Sequence, residues 1–218
     1  MFEACQNGET KVVQLLLEHC NSEESGLNVK DELGYTSIMM ACRNGHKDVV
    51  QLLLDHSERI DLNTRDIDGD TAFMNACYFG HKDVVKLLLD HSERIYLNTR
   101  DNDGNTAFMI ACERGHKDVV KLLLDHSEGI DLNTRDNDGD TAFLNACYFG
   151  HKDVVKLLLD HSERIDLNTR DNDGDTAFMI ACSKGQKDIV QLLLEHLDQN
   201  IELNARSSAE WTSFMLEN

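Results

Sequence analysis

Proline does not occur once in the 218 residues, and nothing in the sequence explains its absence. Basic residues are scarce as well: 21 Lys and Arg stand against 40 Asp and Glu, for a formal net charge of −19. Binding to a phosphate backbone depends on clustered Lys and Arg, so nucleic acid is not an expected partner. The acidic excess suits solubility and would favour a basic partner. No apolar run approaches the roughly 20 residues of a membrane-spanning helix. The opening Met1-Phe2-Glu3-Ala4-Cys5 is not a signal peptide. Membrane insertion is therefore not expected.

What the chain has is periodicity. The stretch 101–135, DNDGNTAFMIACERGHKDVVKLLLDHSEGIDLNTR, returns 35 residues earlier at 66–100 and 35 later at 136–170 with few changes. Such a period fixes the architecture before any motif is weighed. The sequence reads as one array over 1–218: a partial unit 1–29, full units 30–64, 65–99, 100–134, 135–169 and 170–205, and a partial unit 206–218. In an array each unit contacts mainly its neighbours, and no single core grows. Both ends are half-units, as in a fragment of a longer protein or in half-helices adapted as caps. Trp211 would mark a docking point or a partly exposed cap residue.

Each unit reads alike. An Asp-x-Asp-Gly turn such as Asp101-Asn102-Asp103-Gly104 offers Asx side chains to the local backbone. Thr106 is then a natural N-cap for a short helix to about Arg114, with Phe108, Ala111 and Cys112 on one face. Gly115 ends it, and a second helix from about Lys117 to Asp125 carries Val119, Val120 and Leu122 to Leu124. At under three turns, that helix depends on stacking. Ile130 and Leu132 alternate with polar residues, as in a short extended segment.

The ladder Cys5, Cys42, Cys77, Cys112, Cys147 and Cys182 places one cysteine per unit. Stacked helices lie roughly 8–10 Å apart, beyond the ~7 Å Cα limit of a disulfide. The cysteines are read as small buried hydrophobes in a reducing compartment. Asp55-His56-Ser57 holds the letters of a hydrolase triad, but neighbours at a helix end point apart. Threading 169–180 on a calcium loop puts Thr169 at the first ligand position and Ile180 at the bidentate glutamate position, which removes both ends of that site. Ten histidines fall in two ladders whose members lie a repeat apart, too far to share zinc at ~2 Å ligand distances. No catalytic residue, metal or cofactor is expected.

Turn, helix, Gly-His, second helix and a return ending in Asp-hydrophobic-Asn together resemble the ankyrin repeat. Asp136, Gly139, Thr141, Ala146, Gly150, His151, Val154, Val155, Leu157 to Leu159, Asp166 and Asn168 fall on the family's motif. Thr141-Ala142-Phe143-Leu144 replaces the family's T-P-L-H, and the period exceeds the family's usual one. The resemblance implies an all-α repeat solenoid with short β-hairpin fingers and a concave groove lined by fingers and first helices.

Function should lie where the units differ. After each Ala-Cys pair come Arg43-Asn44, Tyr78-Phe79, Glu113-Arg114, Tyr148-Phe149 and Ser183-Lys184. In the turns the varying residues are Tyr35, Ile67, Asp68, Asp70, Asn102, Asp103, Asn105, Asn137, Asp138, Asp140, Asp173 and Asp175. The resemblance places these offsets on the partner-facing groove, and aromatics there suit binding hot spots. The expectation is a non-enzymatic scaffold binding a basic or mixed protein segment or peptide, in the cytoplasm or the nucleus. A monomer is expected, with end-to-end contact open to its partial terminal repeats. The alternative is a structural spacer or self-assembling segment of a larger repeat protein.

Overall fold

The computed structural model describes residues 1–19, 26–126, 129–196 and 201–203. Cys20, Trp211 and the partial unit 206–218 lie outside the described residues. The chain divides into two compact units, 1–102 and 103–218. The described part of the first holds α1 (Phe2–Gln6), α2 (Thr10–His19), α3 (Ser37–Arg43), α4 (Lys47–Asp55), α5 (Ala72–Tyr78) and α6 (Lys82–Leu89), with 3-10 turns at Ser57–Arg59 and Ser92–Arg94. That of the second holds α7 (Ala107–Glu113), α8 (Lys117–Asp125), α9 (Ala142–Tyr148), α10 (Lys152–Leu159), α11 (Ala177–Ser183) and α12 (Lys187–Glu195). Within each unit, first helices pack on first helices, second helices on second, and each helix on its own partner.

Every full-length first helix is entered through a threonine. Thr71 Oγ1 accepts from Met74 N at 3.3 Å and Thr141 Oγ1 from Leu144 N at 3.4 Å, a cap worth about 1 kcal/mol. Thr71 N in turn donates to Met74 Sδ at 3.4 Å, so a thioether stands where a capping box uses Glu or Gln. Burial explains the choice: Thr71 and Met74 are 3% and 1% exposed, and a carboxylate there would be desolvated. Apart from their last residues, the full-length first helices are buried nearly all round rather than on one face. In α9 every residue from Ala142 to Cys147 is buried, because α7, α11 and α10 all pack against it. The second helices are amphipathic; Val154, Val155, Leu158 and Leu159 are buried, while Lys152, Asp153 and Lys156 are exposed.

Both histidine ladders tie off backbone carbonyls. His46, His81 and His151 donate Nε2–H to Gln6 O, Arg43 O and Glu113 O at 2.9, 2.9 and 2.6 Å, each bonding the preceding repeat. Gln186 does the same to Tyr148 O at 3.2 Å. His56, His91, His161 and His196 turn Nδ1–H back to Leu52 O, Leu87 O, Leu157 O and Leu192 O at 2.8 to 2.9 Å. These last-turn carbonyls would otherwise lack a donor.

No strand forms among the described residues, so the hairpin fingers expected from the resemblance are not shown. Ile130 and Leu132 are buried, and Leu132 lies in a bend rather than in a strand. Asx geometry shapes the turn tips: Asp66 Oδ1 accepts from Asp68 N and Asp70 N at 3.0 and 2.9 Å. Gly69 closes that turn at φ +88°, where an added Cβ would meet Asn102 Oδ1 at 2.7 Å. Successive tips share backbone bonds such as Ile67 N to Leu33 O, 3.1 Å, and Asn172 N to Asp138 O, 2.9 Å. Side chains supply further cross-links. Arg65 Nη2 donates to Arg100 O at 2.8 Å, and Arg135 Nη2 to Arg170 O at 2.7 Å. Asn63 donates to Arg94 O and accepts from Tyr96 N, both at 2.9 Å. Asn133 repeats that bridge to Arg164 O and Asp166 N at 2.9 and 2.8 Å.

Candidate functional site

In the first unit the expected residues meet around Arg43, the last residue of α3. Its guanidinium carbon sits 4.6 Å from the Phe79 ring centroid and 5.6 Å from that of Tyr35. Nη1 donates to Tyr35 Oη at 3.3 Å. Tyr78 and Phe79 lie against each other at 4.8 Å, with Phe79 stacked toward His81 at 6.3 Å. The aromatic pair is therefore not a bare anchor, since a cation already covers Phe79. Asp66 is buried, Asp70 half-buried and Asp68 exposed beside them. Burial pushes the Asp70 carboxyl up to about 7, helped by repulsion from Asp66, Asp101 and Asp68 and opposed by Arg43. Asp66 Oδ2 and Asp70 Oδ1 are buried and receive no hydrogen bond.

In the second unit the same positions enclose a cleft of about 330 Å³. Asp103, Glu113, Asp136, Asp138 and Asp140 bring carboxylates to it. Asn105, Asn145, Tyr148 and Phe149 complete its walls. Tyr148 and Phe149 are 41% and 48% exposed, with ring centroids 4.9 Å apart. Burial pushes Asp140 up to about 7, with Asp136, Asp171 and Asp138 adding repulsion and Arg135 opposing. Asp136 is raised too, chiefly by burial, although its Oδ1 accepts from Asp138 N and Asp140 N at 3.0 and 2.8 Å.

The other expected residues divide between exposed and engaged. Ile67 is 58% exposed. Asn44 Nδ2 donates to Met40 O at 2.9 Å, and Ser183 Oγ to Ile180 O at 3.0 Å. Asn102 Nδ2 braces Ile67 O at 2.8 Å, and Asn137 O accepts from Asn172 Nδ2 at 2.9 Å. Arg114 pairs with Glu113 at 3.4 Å. Lys184 places Nζ 4.1 Å from the Tyr148 ring centroid and donates to Tyr148 Oη at 3.0 Å. Asp173 is exposed; the Asp175 carboxyl is raised by burial and then by Asp171 and Asp173. Sequence reasoning left Asn145 out of the site and gave Asp136 only a place on the family's motif. The signal for Asn145 was a polar residue inside an otherwise apolar helix, and it is 8% exposed with Nδ2 3.5 Å from Asp136 Oδ2.

The described residues hold no group of three or more His, Cys, Asp or Glu side chains placed to bind a metal ion. No described helix is long and apolar enough to cross a membrane. The ladder cysteines are thiols, and those at Cys5, Cys42, Cys77 and Cys147 are buried.

Tandem helix pairs, bonded to their neighbours by side chains that reach backbone carbonyls, define a helical repeat protein. A family model described as ankyrin repeats matches in three copies, over residues 1–66, 58–136 and 128–207. The chain belongs to the ankyrin repeat family. Among curated proteins, none matches it by sequence. Ankyrin repeats are generally protein–protein interaction modules.

Proposed function

We propose that this chain is a non-enzymatic scaffold that binds a basic or mixed segment of a partner protein through its turn tips and first-helix ends. The supporting observation is the second-unit cleft, where five carboxylates stand beside an exposed Tyr148-Phe149 pair. Acidic side chains steer a basic segment and the aromatics supply contact area, the usual division between rate and affinity at interfaces. Buried thiols fit a reducing, intracellular setting, in the cytoplasm or the nucleus.

Affinity capture with the full chain, repeated with Tyr148→Ala/Phe149→Ala and with Tyr78→Ala/Phe79→Ala, tests the reading. A partner lost with the first pair and weakened by salt supports it. A partner retained by both variants, or capture only of the chain itself, refutes it.

A further inference from the structure

The two units carry the same acidic and aromatic residues, with an arginine at position 43 of the first and a glutamate at the matching position 113 of the second. Two repeats apart, the three Asp, the Asn and the Tyr-Phe pair are identical in type: Asp136, Asp138, Asp140 and Asn145 answer to Asp66, Asp68, Asp70 and Asn75. Three positions differ. Leu33, Tyr35 and Arg43 of the first unit are Asp103, Asn105 and Glu113 in the second. Where Arg43 lies over Phe79 with its charge acting on Asp70, the second unit has a shorter acid. The exchange replaces a guanidinium by a shorter carboxylate and adds a second carboxylate at position 103.

From this internal comparison we infer that the second-unit cleft is a receptor for one arginine side chain of a partner protein, its guanidinium lying over Phe149 as that of Arg43 lies over Phe79. This rests on the protein-binding reading above and narrows it to one side chain and one place. Guanidinium is favoured over ammonium because it is planar, stacks on aromatic faces and forks toward carboxylates. The volume of about 330 Å³ lies at the small end of ligand sites, roughly 300–1,000 Å³, and suits one side chain rather than a cofactor. No cation lines it. Arg114 pairs with Glu113 at 3.4 Å from the rim, the guanidinium 42% and the carboxylate 22% accessible. Lys184 takes Tyr148 and is not among the lining residues, which leaves Phe149 as the stacking surface.

The test is titration of the full chain with N-acetyl-arginine amide, followed by NMR at the Tyr148 and Phe149 rings. Saturable shifts are expected, with the lysine analogue and the neutral citrulline analogue each binding roughly tenfold or more weakly. Glu113→Arg, which installs the residue type already folded at position 43, is expected to fill the cleft. It should keep the circular dichroism spectrum and lose the arginine response roughly tenfold or more. No response, an equal response to lysine or citrulline, or an undiminished response in Glu113→Arg overturns the inference. So does calcium chloride alone shifting these rings where the arginine probe does not. A captured protein that loses binding with Tyr78→Ala/Phe79→Ala but ignores Glu113→Arg overturns the arginine site and leaves the broader scaffold reading standing.

Discussion

Replacing Asp70 by asparagine should stabilise the protein, and only where the carboxyl would be charged. The Asp70 carboxyl rises from an ordinary 3.8 to about 7, first through burial and then through Asp66, Asp101 and Asp68. A folded-state value above the unfolded one means that folding is favoured by the proton. The stabilisation is complete below about pH 4 and is lost as pH climbs through about 7. Taken in full, that gap would amount to about 4 kcal/mol at neutral pH. Asp70 is only half-buried, so solvent screening reduces the figure to about 1–2 kcal/mol. Asp70→Asn keeps the backbone N–H that donates to Asp66 Oδ1 at 2.9 Å and presents an amide where Oδ1 now has no donor. Urea unfolding should show the variant about 1–2 kcal/mol more stable at pH 8 and no different near pH 4. An equal gain at both pH values would assign the effect to the new amide bond rather than to charge. No gain at pH 8, or a carboxyl ¹³C resonance titrating in the ordinary range, would refute the reasoning outright.

Three further outcomes follow from the inter-repeat bonds and the buried thiols. His81→Ala removes the donor to Arg43 O and should cost about 1–2 kcal/mol in urea melts. His81→Gln should recover most of that, since Gln186 already makes the equivalent bond at 3.2 Å. Gly45→Ala forces a side chain into φ +72° with Cβ 2.6 Å from His81 Nδ1, which should lower stability by about 1–3 kcal/mol. Combined with His81→Ala, its cost should fall short of the sum of the two single losses, because the neighbour it collides with is gone. Burial raises the Cys42, Cys77 and Cys147 thiols and pushes Cys5 up to about 12. Alkylation at pH 8 should therefore track unfolding, and rapid labelling of the native chain at these positions would contradict it.

Periodicity alone located most of the helices. The sequence placed the second helix of the fourth unit at about Lys117 to Asp125, and α8 has those ends, because its valine and leucine pattern has only one buried solution. The N-cap threonines were equally legible, since their partners lie three residues away. Local pattern could not show that Met74 sulfur answers Thr71, because that substitution follows from burial. Nor could it show the Asn63 and Asn133 bridges, whose bonds reach more than thirty residues along the chain. At the site, the varying positions were readable but their pairing was not. Arg43 and Glu113 were named among the varying positions, but only the structure sets one over an aromatic ring and the other at the edge of a cleft.

The inter-repeat bonds also bear on how such a chain can change length. Arg65 reaches a carbonyl 35 residues on, and Arg135 repeats the same reach; His81 and His151 each look back 38. Removing or inserting one whole period hands every donor an equivalent acceptor, so the local bonding cannot detect the edit. Losing a single residue from a return leaves the Asn, Arg and His of that repeat aimed at the wrong atoms. Length is therefore quantised at the level of these backbone bonds: whole periods preserve them and small deletions do not.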